Sequence, residues 1–255
     1  MMVINGFTTL LNLAASGEYY LWASAVHRLD AFDIELSKPE VRGIVLTEQQ
    51  SLAGGNLLEI SGLRLAKPDG SALAAPGDFV FRAGERWLVR GESGVGKSMM
   101  VRAIAGLWPH GSGSVRFSAQ ARSRTLFLPQ KSYVPTGTLI DALSYPAPHG
   151  TFSHFQCEQV LRWVHLEALT EKLDAEAVWQ QQLSPGEQQR LAFARVFLHA
   201  TEIILLDEAT SALDPANEKR LYSLLDEKLP GALVISIAHH EALEAFHSKS
   251  INLSR

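Results

Sequence analysis

From residue 57 onward, short apolar runs alternate with longer stretches in which apolar residues recur every three or four positions. The short runs are typical of strands and the longer stretches of helices. The predicted strands are 57–65, 79–82, 86–91, 114–117, 125–130, 202–206 and 232–237, and the predicted helices are 97–107, 186–199, 215–228 and the end of the chain. Because such alternation builds a parallel sheet covered by helices, this region is predicted to be α/β. The mainly helical stretch of about 138–190 is predicted to form a helical subdomain.

The chain before residue 57 follows a different pattern. Apolar residues at helical spacing predict a helix over 18–37, and Pro39 is expected to end it. Residues 1–17 carry no charge but are too short, and too often interrupted by polar residues, to predict a membrane span. We therefore expect 1–46 to be a helical segment and the polar, glycine-rich stretch 47–56 to be a linker to the domain at 57–255.

Composition narrows the function classes. The 255 residues are 46% hydrophobic, which is ample for a packed core, and the net charge is −4 from 23 basic and 27 acidic residues. Nucleic-acid binders usually carry a basic excess, so nucleic acid is not a predicted partner. A single cysteine, Cys157, excludes an internal disulfide and suits a reducing compartment.

The strongest motif is GESGVGKS at 91–98, which fits the phosphate-loop pattern G-x-x-x-x-G-K-[ST] between a predicted strand and a predicted helix. Its glycines allow backbone N–H groups to point at phosphate oxygens, and the helix N-terminus adds positive potential. Lys97 is expected to reach the β- and γ-phosphates, and the Ser98 hydroxyl to ligate Mg²⁺. The predicted nucleotide contacts here are Gly91, Glu92, Ser93, Gly94, Val95, Gly96, Lys97, Ser98 and Met99.

A second motif is IILLDE at 203–208, an apolar strand that ends in two carboxylates. Ligands of α/β proteins bind at the carboxyl ends of the strands, so Asp207 is expected to face the phosphate loop and to hold Mg²⁺. Glu208 is the candidate general base that orients or deprotonates the attacking water.

A third motif is LSPGEQQR at 183–190. Ser184 can cap a helix with Pro185 at its first position and Glu187 three residues after the cap, which is a capping-box pattern. Taken alone, the pattern indicates a helix start and nothing more. A helix start is also an anion site, so the chain offers two elements that could bind phosphate.

Together these motifs resemble the ATP-binding-cassette (ABC) ATPases. Leu183 to Glu187 look like the family's LSGGQ signature, with Pro185 and Glu187 in place of Gly and Gln. The segment 211–214 looks like the D-loop and Gln130 like the Q-loop glutamine, while His239 looks like the switch histidine. The resemblance covers 57–255 and implies an ABC-type P-loop fold, with a mixed, mainly parallel sheet, a helical signature subdomain and an N-terminal antiparallel β part.

The resemblance also implies cofactors and partners. ATP and Mg²⁺ are expected, with Ser98, Gln130 and Asp207 at the metal and Lys97, Glu208 and His239 as catalytic residues. Two copies of the domain are expected to pair head to tail. In that arrangement Ser184, Gly186, Glu187 and Asp214 bind the nucleotide held by the other copy.

One position departs from the family pattern. ABC ATPases often stack adenine on an aromatic residue before the phosphate loop, whereas Lys67 stands there in this chain and 57–77 contains no Tyr, Phe or Trp. Weaker discrimination between bases is therefore expected.

Sub-motifs such as GLWPHGSGSVRF (106–117) resemble the branch of peroxisomal fatty-acyl-CoA transporters and SbmA/BacA-like half-transporters. This implies an ATPase domain that powers transport from the cytoplasmic face of the inner (plasma) membrane together with a transmembrane domain. Residues 1–46 would then be the tail of that transmembrane domain, or else an ordinary helical extension. Two other functions stay open: a soluble ABC ATPase not involved in transport, and a binding module that hydrolyses little ATP.

Overall fold

The computed structural model describes residues 43–238 and 241–254. Its strands are β1 (Ile44–Gln49), β2 (Asn56–Ala66), β3 (Ala72–Arg82), β4 (Arg86–Arg90), β5 (Gly111–Ser118), β6 (Thr125–Leu128), β7 (Gly137–Thr138), β8 (Glu176–Ala177), β9 (Ile203–Asp207), β10 (Leu233–Ile237) and β11 (Lys249–Asn252). Its α-helices are α1 (Lys97–Ala105), α2 (Ala119–Ser123), α3 (Leu139–Ser144), α4 (His154–Trp163), α5 (Trp179–Gln182), α6 (Pro185–Leu198) and α7 (Pro215–Lys228). Three 3₁₀ segments cover Ala53–Gly55, Glu167–Lys172 and Glu241–Phe246.

The central sheet has the order β11-β4-β10-β9-β6, and every neighbouring pair is parallel. Strands β9 and β10 lie in the middle and are buried along their whole length. This explains their nearly continuous apolar sequences, because a central parallel strand has no solvent-facing side. The parallel arrangement brings the carboxyl ends of β4, β6, β9 and β10 to one edge, where the candidate site lies.

A second sheet has the order β1-β5-β2-β3. Strand β2 pairs antiparallel with both β3 and β5, while β1 pairs parallel with β5. The predicted antiparallel β part is thus present beside the mainly parallel sheet. Its buried side chains form one hydrophobic core with α1 and the phosphate-loop side of the central sheet.

The prediction of a linker at 47–56 is wrong for much of its length. Residues 47–49 are the end of β1, and 53–55 form a 3₁₀ turn before β2 begins at Asn56. The polar side chains of Glu48 and Gln49 are exposed along an edge strand, and Glu48 lies 3.7 Å from the Arg122 guanidinium. Pairing with the β5 backbone therefore stabilises a strand here, although the polar sequence is typical of a loop.

The segment between β6 and α6 is mainly helical. It contains α3, α4, α5 and the 3₁₀ turn Glu167–Lys172, with β7 and β8 forming a short antiparallel pair. Its buried residues, among them Leu161 and Trp179, share a second hydrophobic core with α6 and α7. Helix α4 begins with a capping box in which Ser153 and Gln156 satisfy each other's backbone N–H groups.

The chain after β10 differs from its predicted helix. A 3₁₀ segment at Glu241–Phe246 is followed by β11, which pairs with β4 at the edge of the central sheet. Ile251 and Leu253 are buried there between more exposed neighbours, which is a strand alternation. No helix within 43–238 or 241–254 is long and apolar enough to cross a membrane. The predictions for 1–42 lie outside the described residues, whereas 44–46, the end of the segment predicted to be helical, belong to β1 because they pair with the β5 backbone.

Candidate nucleotide-binding site

The phosphate loop joins β4 to α1 at the carboxyl edge of the central sheet. Gly96, at the N-cap of α1, has φ 111°, and a Cβ there would lie 3.0 Å from the Leu73 side chain. Both constraints favour glycine. The N-terminus of α1 has no side-chain cap and no acidic residue in its first turn. Its backbone N–H groups and partial positive charge are therefore available to an anionic ligand.

Lys97 folds back over this loop. Its Nζ donates to the carbonyl oxygens of Gly91 at 2.8 Å and Glu92 at 3.0 Å. The ammonium group is thus held at the mouth of the loop by acceptors that are weaker than a phosphate oxygen. Exchange of these carbonyls for phosphate would form charge-assisted hydrogen bonds.

Asp207 ends β9 directly beside α1. The Ser98 hydroxyl donates to Asp207 Oδ1 at 2.7 Å, and Arg102 Nη2 lies 3.4 Å from Oδ2. Asp207 is 2% exposed, so its carboxylate is oriented by these two groups and is almost shielded from bulk solvent. A serine hydroxyl and a carboxylate converging in this way supply the hard oxygen donors that Mg²⁺ prefers, so the residues fit that ion.

Glu208 occupies the turn after β9 with φ 53°, an unusual conformation for a residue other than glycine. Its N–H donates to Ile237 O at 3.1 Å, which fixes the turn to β10. Gln130, beyond the end of β6, donates from Nε2 to Glu208 Oε2 at 3.0 Å. Backbone strain held by surrounding contacts is a feature of functional sites, and here it places the Glu208 carboxylate beside the Gln130 amide.

The signature segment lies at the start of α6 and has a capping box. The Ser184 N–H and Oγ donate to Glu187 Oε2 at 2.9 and 2.6 Å, and the Glu187 N–H donates to Ser184 Oγ at 3.3 Å. The Ser184 hydroxyl, followed by its backbone N–H, lowers the pKa of Glu187. This helix start therefore already holds a negative charge.

Gly186 lies close to the loop that follows Glu208. A Cβ on Gly186 would be 3.2 Å from Ala212 O, so the two backbones approach closely. Asp214 caps α7, accepting from the N–H groups of Ala216 at 3.0 Å and Asn217 at 2.9 Å. Hydrogen bonds from Asn217 lower the Asp214 pKa.

Gln189 is a candidate functional residue that lies within the LSPGEQQR motif but has no predicted role. It is 3% exposed on α6. Its Nε2 donates to Gln130 O at 3.1 Å and Ser211 Oγ at 3.3 Å, and its Oε1 accepts from Ala212 N–H at 3.0 Å. One amide therefore connects the signature helix with Gln130 and with the loop that follows Glu208. An indication in the sequence is that Gln189 is polar, whereas the residues one turn further along α6 are apolar.

A cleft of about 370 Å³ opens over the phosphate loop. It is lined by Lys67, Leu73, Ser93, Gly94, Gly96, Lys97, Ser98, Met99, Trp108 and Glu208. The structure thus brings most of the predicted phosphate and catalytic residues together. Ser184, Gly186, Glu187 and Asp214 are not among the residues lining this cleft. His239 lies outside the described residues.

A phosphate loop between β4 and α1, facing an acidic strand end at β9, defines a P-loop nucleotide-binding domain. Residues 76–211 match the family model described as ABC transporter. The chain therefore belongs to the ABC transporter family and is an ATP-binding domain of that family. The predicted family and ABC-type fold are both confirmed.

Proteins of similar sequence support the assignment to this family. A Synechocystis ABC transporter ATP-binding protein is 35% identical over 263 residues, covering 99% of this chain and 38% of that protein. The human lysosomal cobalamin transporter is 37% identical over 181 residues, covering 67% of this chain and 30% of that protein. In Arabidopsis thaliana, ABC transporter D family member 1 is 32% identical over 242 residues, covering 91% of this chain and 18% of that protein. The chain thus spans less than two fifths of the length of these relatives.

Among solved structures, an ATP-bound bacterial Atm1-family ABC exporter aligns with a TM-score of 0.73 at 22% identity. The alignment covers 90% of this chain and 42% of the exporter chain. At that identity the likeness supports the fold, and the chemistry of the site depends on the residues described above.

Proposed function

We propose that this domain binds and hydrolyses ATP and that hydrolysis drives a transporter. The observation that carries the proposal is the convergence of Lys97, Ser98, Asp207, Gln130 and Glu208 at one edge of the sheet. The loop and Lys97 would hold the phosphates. Glu208 would accept a proton from the attacking water, with the Gln130 amide orienting its carboxylate.

Magnesium is expected at the Ser98–Asp207 pair, with Gln130 completing the predicted metal contacts. When bound, Mg²⁺ neutralises charge on the β- and γ-phosphates. Arg102 would keep the Asp207 carboxylate oriented, because its guanidinium lies 3.4 Å from the oxygen that Ser98 does not contact. His239 is proposed to contact the γ-phosphate, on the strength of its sequence position after β10.

A second copy of the domain is the proposed partner at the nucleotide. Ser184, Gly186, Glu187 and Asp214 do not line the cleft of their own chain. The first three lie at the start of α6, which suits an anion, and Asp214 caps α7. Head-to-tail pairing of two identical copies would place this helix start over the partner's phosphate loop in two equivalent sites.

A transmembrane domain is the second proposed partner, which would place the protein at the cytoplasmic face of a membrane. An apolar groove of about 440 Å³ lies between β6, α6 and the loop at 145–146. Leu107 and Tyr133 line it and are 59% and 60% exposed, so the groove presents apolar surface to solvent. Within the described residues, Ser132 Oγ and Arg195 Nη2 are buried in its wall without a hydrogen-bond partner. A membrane-domain segment with a hydrogen-bond acceptor would satisfy both groups.

The test combines ATP binding with phosphate release, measured at high protein concentration so that dimers can form. Glu208→Gln should retain ATP binding while phosphate release falls about 10²- to 10⁴-fold, the range expected for loss of a general base. Glu227→Gln, which removes a charge far along α7 from the site, is the matched control. Unchanged hydrolysis in Glu208→Gln would remove this residue from the proposed role, and binding without release by the unmodified protein would favour the binding module.

A further inference from the structure

The cleft lacks the aromatic residue expected before the phosphate loop but contains another one. No Tyr, Phe or Trp occurs within 57–77, and Lys67, directly after β2, is exposed. Among the described residues that line the cleft, Trp108 is the aromatic one. It follows α1 instead of preceding the loop, so the sequence position gives no indication of a role in binding.

Trp108 is held in a defined orientation. Its Nε1–H donates to Ala66 O at 3.0 Å, and its ring meets the His110 ring edge-on at 5.1 Å and 74°. The Ala66 N–H in turn donates to His110 O at 3.2 Å. These bonds tie the loop after α1 to the end of β2, immediately before Lys67.

The indole is also only partly buried, so part of its surface is open to the cleft. Leu73, partly exposed, lies in the same lining and contacts the Gly96 position of the phosphate loop. The lining thus combines a preoriented aromatic ring, an aliphatic side chain and the stem of Lys67 next to the phosphate-binding backbone. Such a combination suits the flat face of a nucleotide base, because a ring fixed in advance loses little conformational freedom on binding.

We propose that Trp108 is the residue on which the nucleotide base packs, with Leu73 and the Lys67 stem completing the contact. This inference rests on the proposed function, since it assigns the base end of the same site. Stacking reads the π-face of a base and not its hydrogen-bonding edge. The site therefore takes nucleoside triphosphates with weak discrimination between adenine and guanine.

Titration calorimetry with ATP, GTP and inorganic tripolyphosphate, each with Mg²⁺, tests the proposal. Trp108→Ala should raise the dissociation constants of ATP and GTP by the same factor, about tenfold, the scale of base–aromatic stacking. Tripolyphosphate, which has no base, should bind the variant as it binds the unmodified chain. Trp108→Phe should restore most of the affinity while abolishing the ATP-induced change in tryptophan fluorescence. Trp163→Phe, altered on α4, should keep that change.

Two results would overturn this proposal while leaving the proposed function standing. Unchanged ATP affinity in Trp108→Ala would show that the base does not depend on this ring. An equal loss of tripolyphosphate affinity would show that Trp108 supports the phosphate loop and does not contact a base. Failure of the unmodified protein to bind either ATP or tripolyphosphate would instead reject the proposed function, and this inference with it.

Discussion

The two helix starts that could bind phosphate differ in how their N-terminal groups are occupied. At α1 the N-cap is Gly96, no side chain caps the helix, and the first turn contains no acidic residue. At α6 the Ser184 hydroxyl and the Glu187 carboxylate form a closed capping box. The first is therefore ready for an anion within one chain. The second is already stabilised without an anion and has to accept phosphate beside an existing negative charge.

This difference suggests that the starts of α1 and α6 have separate functions. The open start supplies binding affinity, because nothing has to be displaced except the contacts of Lys97 to its own loop. The capped start keeps α6 folded before a second chain arrives. Substitutions at the two starts should accordingly change different measurements.

The largest effect is expected at the open start. Lys97→Ala removes the ammonium group at the mouth of the loop and should weaken ATP binding about 10- to 100-fold, the range for a lost charged hydrogen bond. Calorimetry measures the change, with Lys131→Ala, outside the cleft lining, as the control. Wild-type affinity in Lys97→Ala would contradict the role of the phosphate loop.

A different outcome is expected at the capped start. Gly186→Asp adds a carboxylate where the partner's phosphate would bind, against a backbone oxygen that already lies 3.2 Å from the Cβ position. ATP binding to the single chain should persist, while ATP-induced dimerisation and hydrolysis should both be lost. Sedimentation velocity with and without ATP measures dimerisation. A dimer that forms as readily as with the unmodified chain would remove α6 from the interface.

The phosphate-binding residues at the start of α1 could be predicted from the sequence far better than the hydrogen bonds that join α6 to the rest of the site. The phosphate loop, Asp207 and Glu208 follow local patterns, since each lies where a strand meets a turn. Gln189 could not be found in this way, because its bonds reach segments about 20 and 60 positions away along the chain, distances set by the fold. Strand β1 was missed for a similar reason, since its partner β5 lies far along the chain.

Gln189 is expected to couple the signature helix α6 to the catalytic residues. Gln189→Ala removes the donor to Gln130 O and the acceptor for Ala212 N–H. Because these bonds position Gln130 and the loop after Glu208, kcat should fall about tenfold while the ATP affinity of the single chain stays unchanged. Gln181→Ala, an exposed position on α5, is the control. A change in KM with kcat intact would show that Gln189 acts in binding instead.

A smaller effect is expected from the charge at the capped start. Glu187→Gln keeps the shape of the capping box and removes the negative charge, so dimerisation should occur at several-fold lower ATP concentration.

The same charge makes the folding stability of the single chain depend on pH. Since the Glu187 pKa is lowered on folding, its stabilisation is complete above the ordinary glutamate pKa of 4.5 and is lost as the pH falls through the folded value.

The melting temperature of Glu187→Gln should therefore lie below that of the unmodified chain at pH 7 and approach it in acid. Thermal unfolding followed by circular dichroism at several pH values measures the difference. A constant difference across the pH range would exclude the ionised Glu187 carboxylate as its source.

The smallest effect concerns Cys157, which lies in the core of the helical segment. Burial raises the pKa of its thiol to about 11, so little thiolate exists at neutral pH and alkylation should be slow. The rate should not change when ATP binds at the open start. Rapid labelling, followed by mass spectrometry, would show that this segment opens in the native state.

The most direct test of a nucleotide shared between two chains is complementation. Lys97→Ala disables the phosphate loop of one copy, and Gly186→Asp disables the helix start of the other. At an ATP concentration well below the dissociation constant of Lys97→Ala, each variant alone should release no phosphate above background. An equal mixture should recover about a quarter of the unmodified activity, because half of the randomly assembled dimers contain one intact composite site. A mixture as inactive as its components would contradict the shared site.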